Sequence, residues 1–584
     1  MLNGVKNEHF KRAAMWLVIS CSLVSLLASS LCPSYGFQAY EFQLWAGGLV
    51  LAVLWGAADW WKVRRINRLD IGCAFSLYAL ALFLRVGFDL RGLPAFVDND
   101  ELHRLGESIK LADGRYSFLD IFWVGIALFE LFPQVLVFQF LEPNILSSRI
   151  AEAIFGALAV VAVYDLGRSL ANRRVGIASA FLVAVAHESI HWARVGLPFI
   201  LVSTFASIMM AFAVRAARGG SYLSWAGAGL AAGFGMLSYQ AGYFLPAFLC
   251  VSSLPLFVGP TKVSNRWRGL GAYAFICLLA ALIQAPSHLK ILRTINWEGS
   301  RPATLLISKA GLPHLANNYG IPQTPESDVI LHHITKSATL LWNGSDAWAQ
   351  YGATYPVVDP FIGAALALIP LALLFGNRLV AWVSLTWIVS YLVLGVLLVG
   401  TPPTYHRIST IVIFAALGAA TVVDWIFPKR LKSLALTLFC LASAYCNLNY
   451  YFNVYPKQRR PEFSSVVARI LTPYKGTHEI VDASYAGLLT PEQRAGGAAV
   501  YHNALIRAEL RGAKIIEIIN KEDMWPLGGA QSPKVLLITR SKTIAELGVH
   551  PPSGYKILAI WEDNSVGAPE PVSLTIVELQ KEPG

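Results

Sequence analysis

The chain has 584 residues, of which 55% are hydrophobic and only 14% are charged. A soluble globular protein carries about a quarter charged residues, so this composition excludes an ordinary soluble protein and predicts a polytopic membrane protein. The formal net charge is +11, but most Lys and Arg residues stand in short clusters between apolar runs, as the positive-inside rule expects. Basic patches with interleaved aromatic residues are absent, which argues against nucleic acid as a partner.

A membrane-spanning helix needs about 20 mostly apolar residues. The N-terminal run is preceded by basic residues like a signal peptide, but it is long enough to span and lacks a clear cleavage site, so we expect an uncleaved helix. The sequence predicts about thirteen spans, at residues 13–33, 43–61, 70–90, 146–167, 175–190, 197–214, 222–239, 242–259, 269–287, 357–376, 379–400, 407–427 and 431–452.

Basic clusters precede the first predicted span and follow the even-numbered ones, so all of them fall on one side of the membrane. The positive-inside rule assigns that side to the cytoplasm. We therefore expect a multi-pass protein of the inner (plasma) membrane with a cytoplasmic N-terminus. The clusters are Lys6, Lys11 and Arg12; Lys62, Arg64, Arg65 and Arg68; Arg168, Arg173 and Arg174; Arg215 and Arg218; Lys262, Arg266 and Arg268; Arg378; and Lys429, Arg430 and Lys432.

The pattern predicts two domains. Residues 1–452 form a transmembrane domain, with a catalytic outer loop at 91–145 and a second outer loop at 288–356. An interrupted apolar stretch in the first loop, Tyr116–Phe140, is interpreted as a pair of interfacial helices. Residues 453–584 contain runs typical of strands and of helices. The predicted fold class is therefore a multi-span α-helical membrane protein with a small C-terminal α/β domain on the outer (periplasmic) face.

An acidic cluster, Val97-Asp98-Asn99-Asp100-Glu101, stands just after the third predicted span, on the predicted outer face. Adjacent carboxylates suit proton abstraction from an acceptor hydroxyl, because a neighbouring like charge raises the pKa of one of them. Asp98 and Asp100 also have the spacing of oxygen ligands for a divalent metal. Acidic residues equally favour helix starts in solvated loops, and the spacing alone favours that structural interpretation.

Three further predicted outer turns carry candidate residues. Arg194, with His191 beside it, suits bidentate phosphate binding, although interfacial anchors have the same composition. His406 precedes Arg407 where the chain re-enters lipid, and a charge there is costly unless it is paired, ligand-bound or snorkelling to the surface. Tyr239-Gln240, in a break between two short predicted spans, either lines a groove or forms the turn.

The order of these pieces resembles a known family. After the Asp-Glu pair come Ser148-Arg149-Ile150 and the following helix, then a turn ending Trp192-Ala193-Arg194, and finally Pro403-Thr404-Tyr405-His406-Arg407. This order resembles the GT-C glycosyltransferases of the protein O-mannosyltransferase, lipid A aminoarabinose transferase and lipopolysaccharide-core galacturonosyltransferase type. The resemblance extends over residues 70–430.

The resemblance implies an inverting transferase that moves a sugar from a polyprenyl-phosphate carrier to a lipid, glycan or protein acceptor on the outer face. It implies Asp100 as the general base with Glu101 as support, and Asp98 as the competing base or metal ligand. It further implies donor-phosphate binding by Arg194, His406 and Arg407, and cavity-facing positions for Tyr239 and Gln240. We also expect Asp98 and His191 to line this cavity.

No cofactor is required by this reaction, and the sequence leaves a divalent metal open. A rival class is a transporter or flippase of lipid-linked sugars, which places charged residues in mid-membrane, often in paired halves. Here the candidate residues gather at one predicted face and no repeated halves are visible. A non-catalytic membrane scaffold is the second alternative. Besides the donor and the acceptor, only membrane lipids are expected as partners.

Overall fold

The computed structural model describes the chain in separate segments, and the structural statements below refer to them. They are residues 67–88, 90, 99–113, 128–218, 222–257, 274, 311–343, 356–399, 402–458, 479–482, 515–517, 534–539, 555–566 and 572–581. The first two predicted spans, most of the ninth (269–287) and the loop stretch 114–127 lie outside them.

The described residues before 459 are helical. The α-helices are α1 (Arg68–Val86), α2 (Asn99–Ala112), α3 (Leu128–Phe138), α4 (Ile145–Leu170), α5 (Arg173–Val185), α6 (His187–Trp192), α7 (Phe199–Ala217), α8 (Tyr222–Met236), α9 (Leu245–Phe257), α10 (Gly311–Asn318), α11 (Glu326–Asn343), α12 (Pro360–Ala367), α13 (Ile369–Phe375), α14 (Arg378–Leu392), α15 (Ile411–Ile426), α16 (Lys432–Asn449) and α17 (Tyr455–Gln458). Short 3₁₀ turns cover Gln240–Phe244 and Tyr405–Arg407, and π turns cover Val393–Leu397 and Tyr450–Val454.

Four helices of the described segments are long and apolar enough to cross a membrane: α1, α4, α7, and α14 together with its π turn. Helix α15 is apolar but shorter. Other predicted spans correspond to shorter or divided helices. Residues 357–376, for example, form α12 and α13 with a break at Leu368. The count of thirteen spans therefore stays a prediction.

Helix α7 is the central element, since 83% of its apolar window is buried, against 28% for α1. It packs on α4 and α8, and α4 packs in turn on α1 and α5. Large apolar side chains such as Phe75, Phe375 and Tyr445 are more than 70% exposed, while Arg85, Arg149 and Arg194 are fully buried. This inversion of the soluble pattern is typical of a protein whose solvent is lipid, and it agrees with a membrane protein.

One end of the helix bundle collects basic residues, and ion pairs join them. Asp70, at the start of α1, contacts Arg168 from the end of α4 and Arg173 from the start of α5, both at 2.9 Å. Asp165 pairs with Arg215 near the end of α7. The structure thus brings these predicted basic clusters to the same end, which we call the basic end.

Helices α10 and α11 come from the predicted outer loop 288–356. The His333 Nε2 atom lies 3.2 Å from the Val396 carbonyl in the π turn after α14, and the Tyr319 hydroxyl lies 2.9 Å from Nδ1. His333 is fully buried, and burial lowers the pKa of its imidazole. A neutral ring therefore fastens α11 to the π turn.

The described residues after 458 form β1 (Glu479–Asp482), β2 (Ile515–Glu517), β3 (Lys534–Thr539), β4 (Tyr555–Val566) and β5 (Val572–Lys581). They make one mixed sheet in the order β2-β1-β3-β5-β4. β2, β1 and β3 are parallel, and β5 is antiparallel to both of its neighbours. The helices predicted at 464–471 and 502–510 lie outside the described residues, so the α/β domain as a whole stays a prediction.

Candidate functional site

The acidic cluster begins helix α2, and its two adjacent carboxylates have opposite surroundings. Asp100, in the first turn, is exposed. Glu101, the next residue, is 0% exposed. Consecutive side chains on an α-helix point about 100° apart, so this helix turns one carboxylate outward and the other into the protein. The helix start also favours both negative charges electrostatically.

A buried arginine holds Glu101 in place. Arg149 Nε lies 2.7 Å from Glu101 Oε1, and Arg149 Nη2 lies 3.0 Å from Oε2. The guanidinium also donates to the Leu90 carbonyl at 3.0 Å. Helix α4 presents Arg149 from its second turn, and a capping box between Asn144 and Ser147 fixes where this helix begins. Arg149 therefore links Leu90, at the end of one described segment, to Glu101 in α2.

The turn before α7 is clamped on both sides of one residue, Gly196. The Gly196 N–H donates to Glu101 Oε1 at 2.6 Å, and the Gly196 carbonyl accepts from Gln134 Nε2 at 3.0 Å. Ser108 of α2 donates to Gln134 Oε1 at 2.8 Å. A Cβ at position 196 would lie 2.6 Å from Ser148 Oγ, so only glycine allows this close approach. Helices α2, α3, α4 and the turn form one unit.

Arg194 lies in the same turn and reaches the end of α1. Its guanidinium donates to the carbonyls of Leu84, Arg85 and Phe88 at 3.3, 2.9 and 3.0 Å. The last carbonyls of a helix have no partners within the helix and carry negative partial charge, so a cation is favourable there. Arg194 also lies 6.0 Å from the ring centre of Tyr451.

A second buried arginine, Arg85, joins α1 to the neighbouring turn. It donates to the Ala81 and Ala184 carbonyls at 3.0 and 3.2 Å and to Ser189 Oγ at 2.8 Å. Arg85 was not among the residues predicted from the sequence. The signal was present, because an arginine inside an otherwise apolar spanning helix is costly and rarely incidental.

Aromatic contacts connect the remaining candidates. The His191 ring lies 4.8 Å from Trp192, and Trp192 lies 5.3 Å from Phe199. Phe199 in turn lies 4.9 Å from both His406 and Tyr239. The three turns that carry His191, Tyr239 and His406, all predicted to be on the outer face, therefore meet around Phe199, the first residue of α7. The sequence singled out these residues but gave no reason for them to touch.

His406 and Arg407 form a short 3₁₀ turn that leads into α15. His406 is buried, whereas Arg407 is partly exposed. Burial, and then the Arg407 charge, hold the pKa of His406 well below its usual 6.5. At neutral pH His406 therefore offers hydrogen bonds without charge, and the positive charge of this pair belongs to Arg407.

Two predicted candidates lie outside what can be described. Asp98 falls in the segment 91–98, and for Gln240 only the backbone of its 3₁₀ turn is described. Within the described segments, no group of three or more His, Cys, Asp or Glu side chains is arranged to hold a metal ion. Gln134 and Gly196, which build the clamp, were not identified from sequence, since an isolated Gln and Gly give no local signal.

Comparison with known proteins supplies two findings. Residues 129–287 match the model of the dolichyl-phosphate-mannose-protein mannosyltransferase family. This stretch contains α3, Arg149 and the turn with Arg194 and Gly196. A comparison with curated protein sequences gives no match.

Among solved structures, the chain is similar to ArnT from Cupriavidus metallidurans bound to undecaprenyl phosphate, with a TM-score of 0.50 and 12% identity over 89% of this chain and 98% of ArnT. An Archaeoglobus fulgidus oligosaccharyltransferase matches with a TM-score of 0.45 and 11% identity, over 78% of this chain and 65% of that one. The S. cerevisiae Pmt1-Pmt2 complex matches with a TM-score of 0.29 and 19% identity, over 44% and 37%. The predicted resemblance to GT-C proteins is confirmed, and the ArnT match shows the fold.

Proposed function

We propose that this chain is an integral membrane glycosyltransferase that transfers a sugar from a polyprenyl-phosphate carrier to an acceptor at the end of the bundle opposite the basic end. The fold shared with an undecaprenyl-phosphate-bound ArnT and the match of residues 129–287 to a mannosyltransferase family support this proposal. The observation that carries it is the pair Asp100 and Glu101, with one carboxylate exposed and the other fixed by Arg149.

Asp100 acts as the general base in this proposal. Its carboxylate accepts the proton of the acceptor hydroxyl or amine while that atom attacks the anomeric carbon. The bond between the anomeric carbon and the carrier phosphate breaks with inversion, and its electrons leave on the phosphate oxygen. Glu101 cannot serve as the base, because Arg149 and the Gly196 N–H already use its two oxygens. It positions the helix that presents Asp100.

The leaving phosphate needs positive charge where its own charge develops. Arg407 is the candidate, since it is partly exposed and next to the buried, neutral His406, which adds a hydrogen bond. Arg194 donates to three carbonyls at the end of α1, so its part is to support the site rather than to contact the carrier directly. His191 and Tyr239 complete the wall around Phe199.

The basic end faces the cytoplasm in this proposal, as the positive-inside rule predicts. The reaction then takes place on the outer face of the inner membrane, and the C-terminal α/β domain stands on the same side. The acceptor class, whether lipid, glycan or protein, is left to the assay. The competing proposal is that a divalent metal, held by Asp98 and Asp100, neutralises the charge that develops on the leaving phosphate.

The test is Asp100→Asn in membranes supplied with a polyprenyl-phosphate sugar. A general base contributes about 10²- to 10⁴-fold, so the initial rate of transfer falls by at least about 100-fold while the protein level is unchanged. Asp113→Asn is the matched control, because Asp113 is an exposed acid directly after the same helix. Unchanged transfer by Asp100→Asn removes Asp100 as the base, and equal losses in both variants would indicate a general effect on helix α2.

A further inference from the structure

A lipid-facing groove lies between α5 and α16, away from the proposed site. The groove has a volume of about 290 Å³. Helix α5 lines it with Arg174, Ile177, Ala178 and Phe181, and α16 lines it from Ser433 to Leu441. The side chains recur three and four residues apart on each helix, so two helix faces form the walls. The Cys440 thiol, 4.0 Å from the Ala178 carbonyl, closes the floor.

The groove is slightly shorter than the hydrocarbon layer of one membrane leaflet. Its lining extends over eight residues of α5 and nine of α16, which at a rise of 1.5 Å between successive residues is about 10–12 Å. Half of a bilayer's hydrocarbon core is about 15 Å. Because both helices begin at the basic end, the groove starts at that surface and stops near the middle of the membrane.

The mouth of the groove carries surplus positive charge. Arg174 and Lys432 share the carboxylate of Asp424, at 3.5 and 3.1 Å. Arg174 nevertheless keeps 49% of its side chain exposed. Lys429 and Arg430, in the turn that leads into α16, are both exposed. Two cations thus share one carboxylate, and two further exposed cations lie in the turn just before Lys432 and Ser433.

Size and charge together select the occupant. Only two helix faces bound the groove, and its volume of about 290 Å³ is at the lower limit of small-molecule pockets. A single linear hydrocarbon chain has the right form, and juxtamembrane cations attract anionic headgroups. We propose that the groove binds one acyl chain of an anionic glycerophospholipid from the leaflet at the basic end, with its phosphate among Arg174, Lys429 and Arg430. This site is independent of the transferase reaction.

The test uses the full-length protein in phosphatidylcholine vesicles that contain a trace of photoactivatable phosphatidylglycerol or phosphatidylcholine, with the reactive group on the acyl chain. Labelled peptides are mapped after digestion. We expect phosphatidylglycerol to label the segments 174–181 and 433–441 about tenfold more strongly than phosphatidylcholine. Arg174→Gln should reduce that preference. Equal labelling by both lipids, or no labelling of these segments, overturns the proposal.

Filling the groove provides the matched pair of variants. Thr437→Trp places a large ring in the groove, whereas Leu438→Trp places it on the neighbouring position, whose side chain is 57% exposed and does not line the groove. We expect labelling to fall several-fold in the first variant and to persist in the second. If Thr437→Trp does not fold, Ser433→Phe blocks the mouth instead. Undiminished labelling in the blocked variant places the lipid elsewhere and overturns the proposal.

Discussion

The two ends of the helix bundle differ in how deeply their ion-paired side chains are buried. At the basic end, Asp70 is bound by Arg168 and Arg173, whose side chains are 23% and 39% exposed. At the opposite end, Glu101 and Arg149 are both 0% exposed, and Arg194 and Arg85 are buried with them. The two arginines that bind Asp70 keep access to water, whereas Glu101, Arg149, Arg194 and Arg85 do not.

Burial of an ion pair costs several kcal/mol per ion before the attraction is counted, so the second arrangement contributes little net stability. Ion pairs that keep access to solvent avoid most of that cost. Helix packing and membrane orientation alone therefore explain the ion pairs of the basic end. The opposite end has the character of a functional site, where a protein keeps costly groups in order to fix geometry.

The largest expected effect follows from breaking the buried pair. Arg149→Gln leaves the Glu101 carboxylate buried without its cation, which should cost about 3–5 kcal/mol in the free energy of unfolding. Thermal unfolding in detergent measures this loss. The double variant Glu101→Gln/Arg149→Gln removes both charges and should be more stable than Arg149→Gln alone. A single variant as stable as the wild type would show that the pair is not isolated from water.

A smaller effect is expected from the clamped turn. Gly196→Ala places a methyl group 2.6 Å from Ser148 Oγ and 2.9 Å from Glu101 Oε1, and such overpacking costs about 1–3 kcal/mol. Because the turn also carries Arg194, transfer activity should fall as well. Gly106→Ala on α2 is the control, since nothing lies within 4 Å of its added Cβ. Equal behaviour of the two variants would contradict a tight contact at Gly196.

The basic end should respond in stability alone. Asp70→Asn removes the partner of Arg168 and Arg173 and weakens the hydrogen bond from the Tyr164 hydroxyl, 2.8 Å away. The freed guanidiniums can reach water, so we expect a loss of about 1–2 kcal/mol and an unchanged rate of transfer. Parallel measurements of thermal unfolding and transfer check both expectations. If Asp70→Asn lost most of its transfer activity at normal stability, the basic end would not have a purely structural role.

The smallest expected effect concerns pH and the link between α11 and the π turn. Burial lowers the pKa of His333 below its usual 6.5, so the released ring binds a proton that the packed ring does not. The contribution of this contact is present above pH 6.5 and is lost as the pH falls below that value. Hydrogen exchange in residues 326–343, corrected for intrinsic rates, should increase at pH 5.5, and His333→Gln should abolish the difference. Exchange in wild type that is independent of pH would contradict this sign.

Apolar length and Lys/Arg bias predict much of the fold, because a spanning helix and its orientation depend on local composition. α1, α4 and α7 begin within two residues of the predicted spans. The site was predicted less completely. The acidic cluster and Arg194 stand out in sequence. The different roles of Asp100 and Glu101, however, depend on Arg149, which is 48 residues away from Glu101. Gln134 and Gly196 act through tertiary contacts, which no local pattern reveals.

One measurement tests the contrast between the two ends most directly, namely transfer from a polyprenyl-phosphate sugar by Asp100→Asn and Asp70→Asn in the same membranes, with thermal unfolding of each variant. Asp100→Asn should lose at least about 100-fold in transfer at unchanged unfolding temperature. Asp70→Asn should keep its transfer rate and unfold at a lower temperature. Transfer at the wild-type rate by Asp100→Asn would contradict the central claim that the exposed carboxylate beside the buried Glu101 is the base.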